Sequence, residues 1–431
     1  MSLRVLATLL VTFFAVIGSF FDAFYGLIGY VFWSYTYPEL STWGLIPLRG
    51  LSFLMGFVLV LTTLLQKKRL WLHSPINTAI MFFGFLCFVS IAASGFSATS
   101  VWQFQFFLRV IIITLIITLL VDDLRRFRYY LFAIVIFIGL VSAQSAIKGT
   151  LAGQIGGVGK GFEGVLNDRN STAVILCAII PIVFYTALTE KRAWLRFSCF
   201  FIFFCNILAV ILTYARAGFI GLASVGAFII LKAKNKLGMI ILMASLIFIL
   251  LNYFIPQPYI DRISGMKEGA AEQTVGEDAA IVGRFRAWRV AIEMIKDKPF
   301  VGVGFWRSEE VSDQYIDPKN SRRYRGLAIH NTFLRVAAET GLPALALYLY
   351  IFCSAYRALT KIKARVRRAG MDKTIIGYAT MLQVAFVGFF SSGFFVNASF
   401  LDISWHLVAL SIALENIANK EMDKFMVANE R

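Results

Sequence analysis

The sequence predicts an all-α protein that crosses a membrane many times, and three observations predict it. Apolar runs such as Leu51–Leu65, Val110–Val121, Tyr129–Val141 and Met239–Leu251 recur along the whole length and are greasy on every face. In a bilayer that pattern requires helices, which satisfy their own backbone groups, and it lacks the apolar/polar alternation of a membrane barrel strand. Only 16% of the residues are charged, 58% are hydrophobic and the mean hydropathy is +0.73, whereas roughly a quarter of an ordinary soluble domain is charged. A soluble globular protein is thereby excluded. Finally, Lys and Arg gather in short connectors between the apolar runs, so the net charge of +17 is a topological signal and not a nucleic-acid footprint.

Those connectors are Lys67-Lys68-Arg69, Arg125-Arg126-Arg128, Lys191-Arg192-Arg196, Lys232-Lys234-Lys236 and the run from Arg357 to Lys373. The positive-inside rule makes them cytoplasmic. Spans then fall near 45–65, 75–93, 103–121, 128–148, 170–189, 195–213, 216–232, 237–254, 333–356, 374–396 and 401–418. The stretch Arg4–Tyr37 is long for one helix and short for two, against a hydrocarbon core about 30 Å thick. With Arg4 inside, parity asks for one net crossing there, broken at Phe20–Asp22, which makes about twelve crossings in all. Met1–Ser19 carries one charge and no clear small-residue cleavage site, so a signal peptide is not favoured.

Three parts follow: membrane helices over 1–254, a large outer loop with short helices over 255–331, and further membrane helices over 332–431. Thr150–Arg169 is the other long outer connector. No inverted pair of halves is visible, which weighs against a transporter. Cys87, Cys177, Cys199, Cys205 and Cys353 lie in or beside apolar spans without paired spacing and read as packing residues.

Some polar residues resist explanation as packing. At 100° per residue, Gly283–Asp297 places Ala287, Trp288, Ala291, Ile292, Met294 and Ile295 on one arc and Arg286, Arg289, Glu293, Lys296 and Asp297 on the other. Arg284 lands among the apolar residues, where a guanidinium needs a partner or serves as an anion site. Arg216 occupies a tight outer turn, ILTYARAGFIGL, without a nearby acid in sequence. Arg49 and Arg109 stand near the outer ends of their spans, where snorkelling also accounts for an arginine. Guanidinium forks at one face match the oxygens of a phosphate-bearing ligand.

His330 precedes Asn331, which suits a helix cap; Gly341 suits that helix's end and Pro343 the first turn of the next membrane helix. Of the other histidines, His73 adjoins a basic connector and His406 reads as a satisfied core residue. No H-E-x-x-H or His/Cys cluster supports a metal, and neither metal nor other cofactor is expected. GGVGKGFEG (Gly156–Gly164) fails as a phosphate loop, because Gln154 stands where the first glycine belongs and Gly161 replaces the Ser/Thr.

GRFRAWRVAIEMIKDKPFVGVGFW (Gly283–Trp306) and HNTFLRVAAETGLPALALY (His330–Tyr348) resemble the outer-loop region of the bacterial O-antigen ligase and polymerase superfamily. TYARAG (Thr213–Gly218) resembles its upstream arginine turn, and GVLNDRNSTAVIL (Gly164–Leu176) its Asn-containing helix start. The resemblance implies a twelve-helix, GT-C-like glycosyltransferase of the bacterial inner membrane, metal-independent and facing the periplasm. It would move O-antigen glycan from undecaprenyl diphosphate to the lipid A core of lipopolysaccharide. The family's two arginines and histidine fall on Arg216, Arg284 and His330, with Arg49, Arg109, Asn170 and Asn331 as candidate substrate contacts. Partners are then the lipid-linked donor, the lipid A core acceptor and membrane lipids, with no nucleic acid. The open alternatives are an O-antigen polymerase, a protein O-oligosaccharyltransferase with the same donor, and a lipid or glycan transporter.

Overall fold

Local chemistry sets the helix ends. α4 (Pro75–Ser94) starts where Ser74 Oγ accepts from the backbone N–H of Ile76, with proline in the first turn, and it ends on Gly95 at φ 90°. Ser97 caps α5 (Ala98–Leu120) and Asp168 caps α7 (Arg169–Thr189), each by accepting from a backbone N–H three residues on. The computed structural model describes residues 3–36, 51–66, 74–151, 168–232, 235–238, 241, 245, 274–316, 326–371 and 373–429. Among the described residues every regular element is helical.

The remaining helices are α1 (Leu3–Phe21), α2 (Ala23–Thr36), α3 (Leu51–Leu65), α6 (Leu124–Leu151), α8 (Ala193–Leu212), α9 (Arg216–Lys232), α10 (Thr274–Asp297), α11 (Thr332–Thr340), α12 (Leu342–Arg368), α13 (Lys373–Gly393) and α14 (Asp402–Asn429). Among the described residues seven helices, α4 to α8, α12 and α13, are long and apolar enough to cross a membrane. The shorter apolar helices α1 and α3, together with α9 and α14, pack into the same bundle. The chain is a polytopic helical membrane protein. Of the expected spans, 237–254 lies largely outside the described residues, as do Arg49, His73 and Gly156–Gly164.

α7 is the axis of the bundle, buried from Thr172 to Val183 and packed against α8, α9 and α13. Glycine permits the closest approaches: a Cβ on Gly388 of α13 would stand 2.3 Å from the carbonyl oxygen of Cys177 on α7, the small-residue packing typical of membrane helices. Four of the five cysteines are buried packing residues. His406 is a core residue, its Nδ1 within 2.7 Å of the Tyr35 hydroxyl and 3.2 Å of the Tyr130 hydroxyl.

Among the described residues, the basic connectors lie together on one face. Arg126 bonds both Asp22 and Asp122, Arg128 meets Glu190 at 2.6 Å, and Lys420 Nζ donates to the Asp122 carbonyl at 3.3 Å. The starts of α5, α7, α9, α11 and α14 belong to the opposite face, as the expected alternation requires.

Two expectations are corrected. The break at Asp22 exists, but the chain reverses there instead of completing a single crossing. Trp33 Nε1 donates to Thr12 Oγ1 at 2.9 Å, Gly29 faces Ala15 and Gly26 faces Ser19, so α1 and α2 are an antiparallel hairpin turning on the basic face. The start of α1 therefore lies at the far face, against the placement of Arg4 inside. The span expected at 333–356 is two helices: α11 is a short, largely buried helix, and the membrane helix begins only at Leu342, after Gly341 at φ 87°.

Candidate active site

The large loop is held on the bundle by α10 and α11. Val290, Ala291 and Met294 of α10 pack with Val303, Val311, Ile329 and Ala338 in a small satellite core. The apolar arc holds except at Ile292, which is exposed; the inward position goes to Val290. Trp288 stacks near Phe394 and Phe395, seating the helix on the end of α13. Arg284, one turn earlier, is half-buried.

Arg216 opens α9 after a turn in which Thr213 Oγ1 donates to the Val210 carbonyl at 2.6 Å and accepts from Ala215 N at 3.2 Å. His330 sits immediately before α11, half-buried, at φ 51°. Tyr214 (φ 53°) and Trp306 (φ 58°) share that left-handed region, which is unfavourable for residues with a Cβ and concentrates at functional positions.

Electrostatics ties these segments together. The Arg284 guanidinium is held below the usual arginine value, first by burial and then by the charge of Arg216; it remains protonated at any physiological pH. The imidazole of His330 is pushed below the ordinary histidine value, first by burial, then by Arg284, with Asp168 opposing and Arg335 adding to the shift. Arg284 thus lies in electrostatic range of both Arg216 and His330, which come from distant segments of the chain. Burial and Arg284 both favour the neutral imidazole.

Asp168 Oδ2 accepts from the N–H and the hydroxyl of Ser171, both at 2.8 Å, so its charge stays in range of His330. Asn170 lies half-buried in the same helical turn. Asn331 is buried and its Oδ1 accepts from Phe333 N and Leu334 N, both at 2.9 Å. Its amide oxygen is the cap of α11.

Behind His330 stands a pair the sequence reading passed over. Arg335 Nε donates to Glu339 Oε1 at 3.1 Å with both side chains almost fully buried, and the guanidinium lies over Trp306 at 3.9 Å from the ring centre. Glu339 also accepts from Trp306 N at 3.1 Å and from Ser308 Oγ at 2.7 Å, while its carbonyl accepts from Ser90 Oγ at 2.6 Å. Thr332 Oγ1 reaches the carbonyls of Gly393 at 2.7 Å and Val396 at 2.8 Å and accepts from Ala398 N. Ser399 Oγ donates to the Thr332 carbonyl. The start of α11 is therefore stitched to the α13–α14 connector.

A cavity of about 810 Å³ adjoins this arrangement, with Arg335 and Ser171 in its wall. Arg109 lines it too, 4.7 Å from the Phe53 ring centre and 4.5 Å from that of Phe106. Arg109 is also in electrostatic range of Asp402. The sequence signals for what was missed are uneven. Arg335 and Glu339 have the i, i+4 spacing of a helical ion pair and Asp168 has an N-cap pattern, but the cavity unites residues as distant as Tyr30 and Asp402 and has no local signature.

Residues 199–349, about a third of the chain, match the family model described as O-antigen ligase. The matched stretch contains Arg216, Arg284, His330, Arg335 and Glu339. The exopolysaccharide production protein ExoQ of Rhizobium meliloti (strain 1021) is 29% identical over 121 residues, 26% of this chain. The chain spans about a quarter of that relative's length, 27%. Residues 199–349 are thus similar to the O-antigen ligase family, and part of the chain is similar to a polysaccharide-production protein. The matched region is the part of the chain that contributes Arg216, Arg284 and His330.

Proposed function

We propose that the chain is a glycosyltransferase that takes glycan from a polyprenyl diphosphate, undecaprenyl diphosphate in the bacterial inner membrane, and joins it to a hydroxyl of lipid A core. What supports this reading is that Arg284 acts electrostatically on His330 and is itself acted on by Arg216, while burial and Arg284 favour the neutral imidazole. With the basic connectors cytoplasmic under the positive-inside rule, these residues face the periplasm.

The chemistry balances with these groups. The acceptor oxygen bonds to the anomeric carbon as that carbon's bond to the phosphate oxygen breaks, and the diphosphate leaves with the electron pair. The two guanidiniums hold its growing charge, and the hydroxyl proton passes to the neutral imidazole, a contribution of about 10²–10⁴-fold. Attack from the face opposite the leaving group inverts the anomeric centre. Anchoring both amphiphiles in one leaflet contributes by proximity.

The similarity to an exopolysaccharide production protein favours one second reading, a polymerase in which another lipid-linked glycan is the acceptor. The test is purified chain in liposomes with a radiolabelled lipid-linked donor and either lipid A core or a second donor molecule. Transfer to the core alone supports the ligase, and chain lengthening supports the polymerase. His330→Ala is expected to lower turnover by at least about 10²-fold while the donor remains bound; near-native turnover removes His330 from the reaction, and movement of glycan across the bilayer without a covalent product replaces the enzyme with a transporter.

A further inference from the structure

The cavity beside Arg335 differs in chemistry from the surroundings of Arg216 and Arg284. Its two arginines each have an acidic counterpart: Arg335 is paired with Glu339, and Arg109 lies in range of Asp402. The cavity therefore offers no net positive charge to attract a diphosphate. What it offers is acceptors. Asp402 Oδ2 takes one hydrogen bond from Ser34 Oγ at 2.9 Å and retains further lone pairs. Asn397, on the wall, has a buried Oδ1 with no hydrogen-bond partner among the described residues. A buried orphan acceptor is costly unless a donor reaches it, and an anion has none to give.

Aromatic faces complete the lining: Trp306 and Phe400, 5.7 Å apart between ring centres, at the inner end, and Trp102 and Phe53 at the outer end. From Trp102 to Ile113 the cavity follows α5 for about 16 Å at 1.5 Å per residue. Its outer end opens sideways between α3 and α5, where Phe53, Phe57 and Trp102 are more than half exposed on the membrane-facing side. The inner end reaches Arg335, which acts on His330, and Ser171, which bonds the Asp168 that acts on it too.

We infer that this cavity is the subsite for a neutral sugar of the lipid-anchored acceptor, which comes in sideways between α3 and α5. Hydroxyl donors satisfy Asn397 and Asp402, ring C–H faces lie on Trp306 and Phe400, and the apolar anchor trails past Trp102 into the bilayer. The inference rests on the glycosyl-transfer reading only in naming this ligand the acceptor. It sorts the two substrates by charge: the anionic donor goes to Arg216 and Arg284, and the neutral hydroxyl comes to His330 from the other side.

The experiment is photolabelling of the full chain in lipid nanodiscs with a diazirine-tagged octyl glucoside, using diazirine-tagged octanol to measure greasy contact alone. The sugar-dependent excess of label is expected on Trp102, Phe106 and Phe400. Asn397→Leu, which removes the orphan acceptor, and Asp402→Asn are each expected to cut that excess about tenfold, the scale of one buried hydrogen bond to the ligand. Arg216→Ala and added farnesyl diphosphate are expected to leave it unchanged. Equal labelling by octanol, or displacement by farnesyl diphosphate, overturns the assignment. A chain that keeps sugar-dependent labelling but transfers no glycan retains the cavity assignment and loses the proposed reaction, whereas one that transfers glycan without such labelling loses the cavity assignment.

Discussion

Glu339→Ala is the sharpest probe of how the active-site loop is held. The substitution removes the acceptor of three hydrogen bonds, from Arg335 Nε, Trp306 N and Ser308 Oγ. It leaves a guanidinium whose side chain is 5% exposed without its counter-charge. Breaking a buried ion pair from one side costs about 3–5 kcal/mol, because the surviving charge stays desolvated. Glu339→Gln, which preserves volume and one carbonyl acceptor, should cost less, about 1.5–3 kcal/mol. Removing both charges with Arg335→Leu/Glu339→Leu should fall below the single alanine variant, the sign of coupling a double-mutant cycle reads. Denaturant titration in a fixed detergent, followed by tryptophan fluorescence, measures all three. A Glu339→Ala variant within about 1 kcal/mol of the native chain would mean that the pair does not anchor the loop.

The pH dependence of kcat/KM should show an acidic limb below the ordinary histidine value of about 6.5, because a base must be neutral and His330 is shifted downward; activity rises with pH through that limb and is level at neutrality. Arg284→Ala should move the limb up and Asp168→Asn should move it further down, and a limb above pH 7 would contradict the assignment. Lysine at 216 or 284 should only partly restore diphosphate binding lost in the alanine variants, since it lacks the planar fork; full restoration in a competition assay would reduce the role to a point charge. Gly388→Leu should destabilise the bundle by about 1–3 kcal/mol or more through overpacking. Gly283→Ala, which meets nothing within 4 Å, should be neutral or stabilising by about 0.5–1 kcal/mol, and thermal unfolding separates the two.

Much of this was legible because local rules govern it. Asn331, Gly341 and Pro343 marked the limits of α11 and the start of α12, and Arg284 stood out on an apolar arc before any coordinates placed it near Arg216. The alternation of spans followed from the clustering of Lys and Arg. What failed was non-local. Apolarity says that Leu3–Thr36 is helical but not that it doubles back; that depends on Gly18, Gly26 and Gly29 allowing α1 and α2 to touch, and one Arg4 was too little charge to set direction. Val290 replaced Ile292 on the inward face because the docking angle of α10 depends on α11. The cavity was invisible because its walls come from opposite ends of the chain.

The hydrogen bonds of Thr332 and Ser399 give the protein one seam where two walls could have been independent. His330 hangs from one side of that seam and Asn397, Phe400 and Asp402 from the other, so a guest that pries the aromatic wall outward must drag the imidazole with it. Under the proposed reaction, seating the wrong guest misaligns the proton acceptor, and the same few bonds that hold the wall in place set which hydroxyl-bearing molecule reacts.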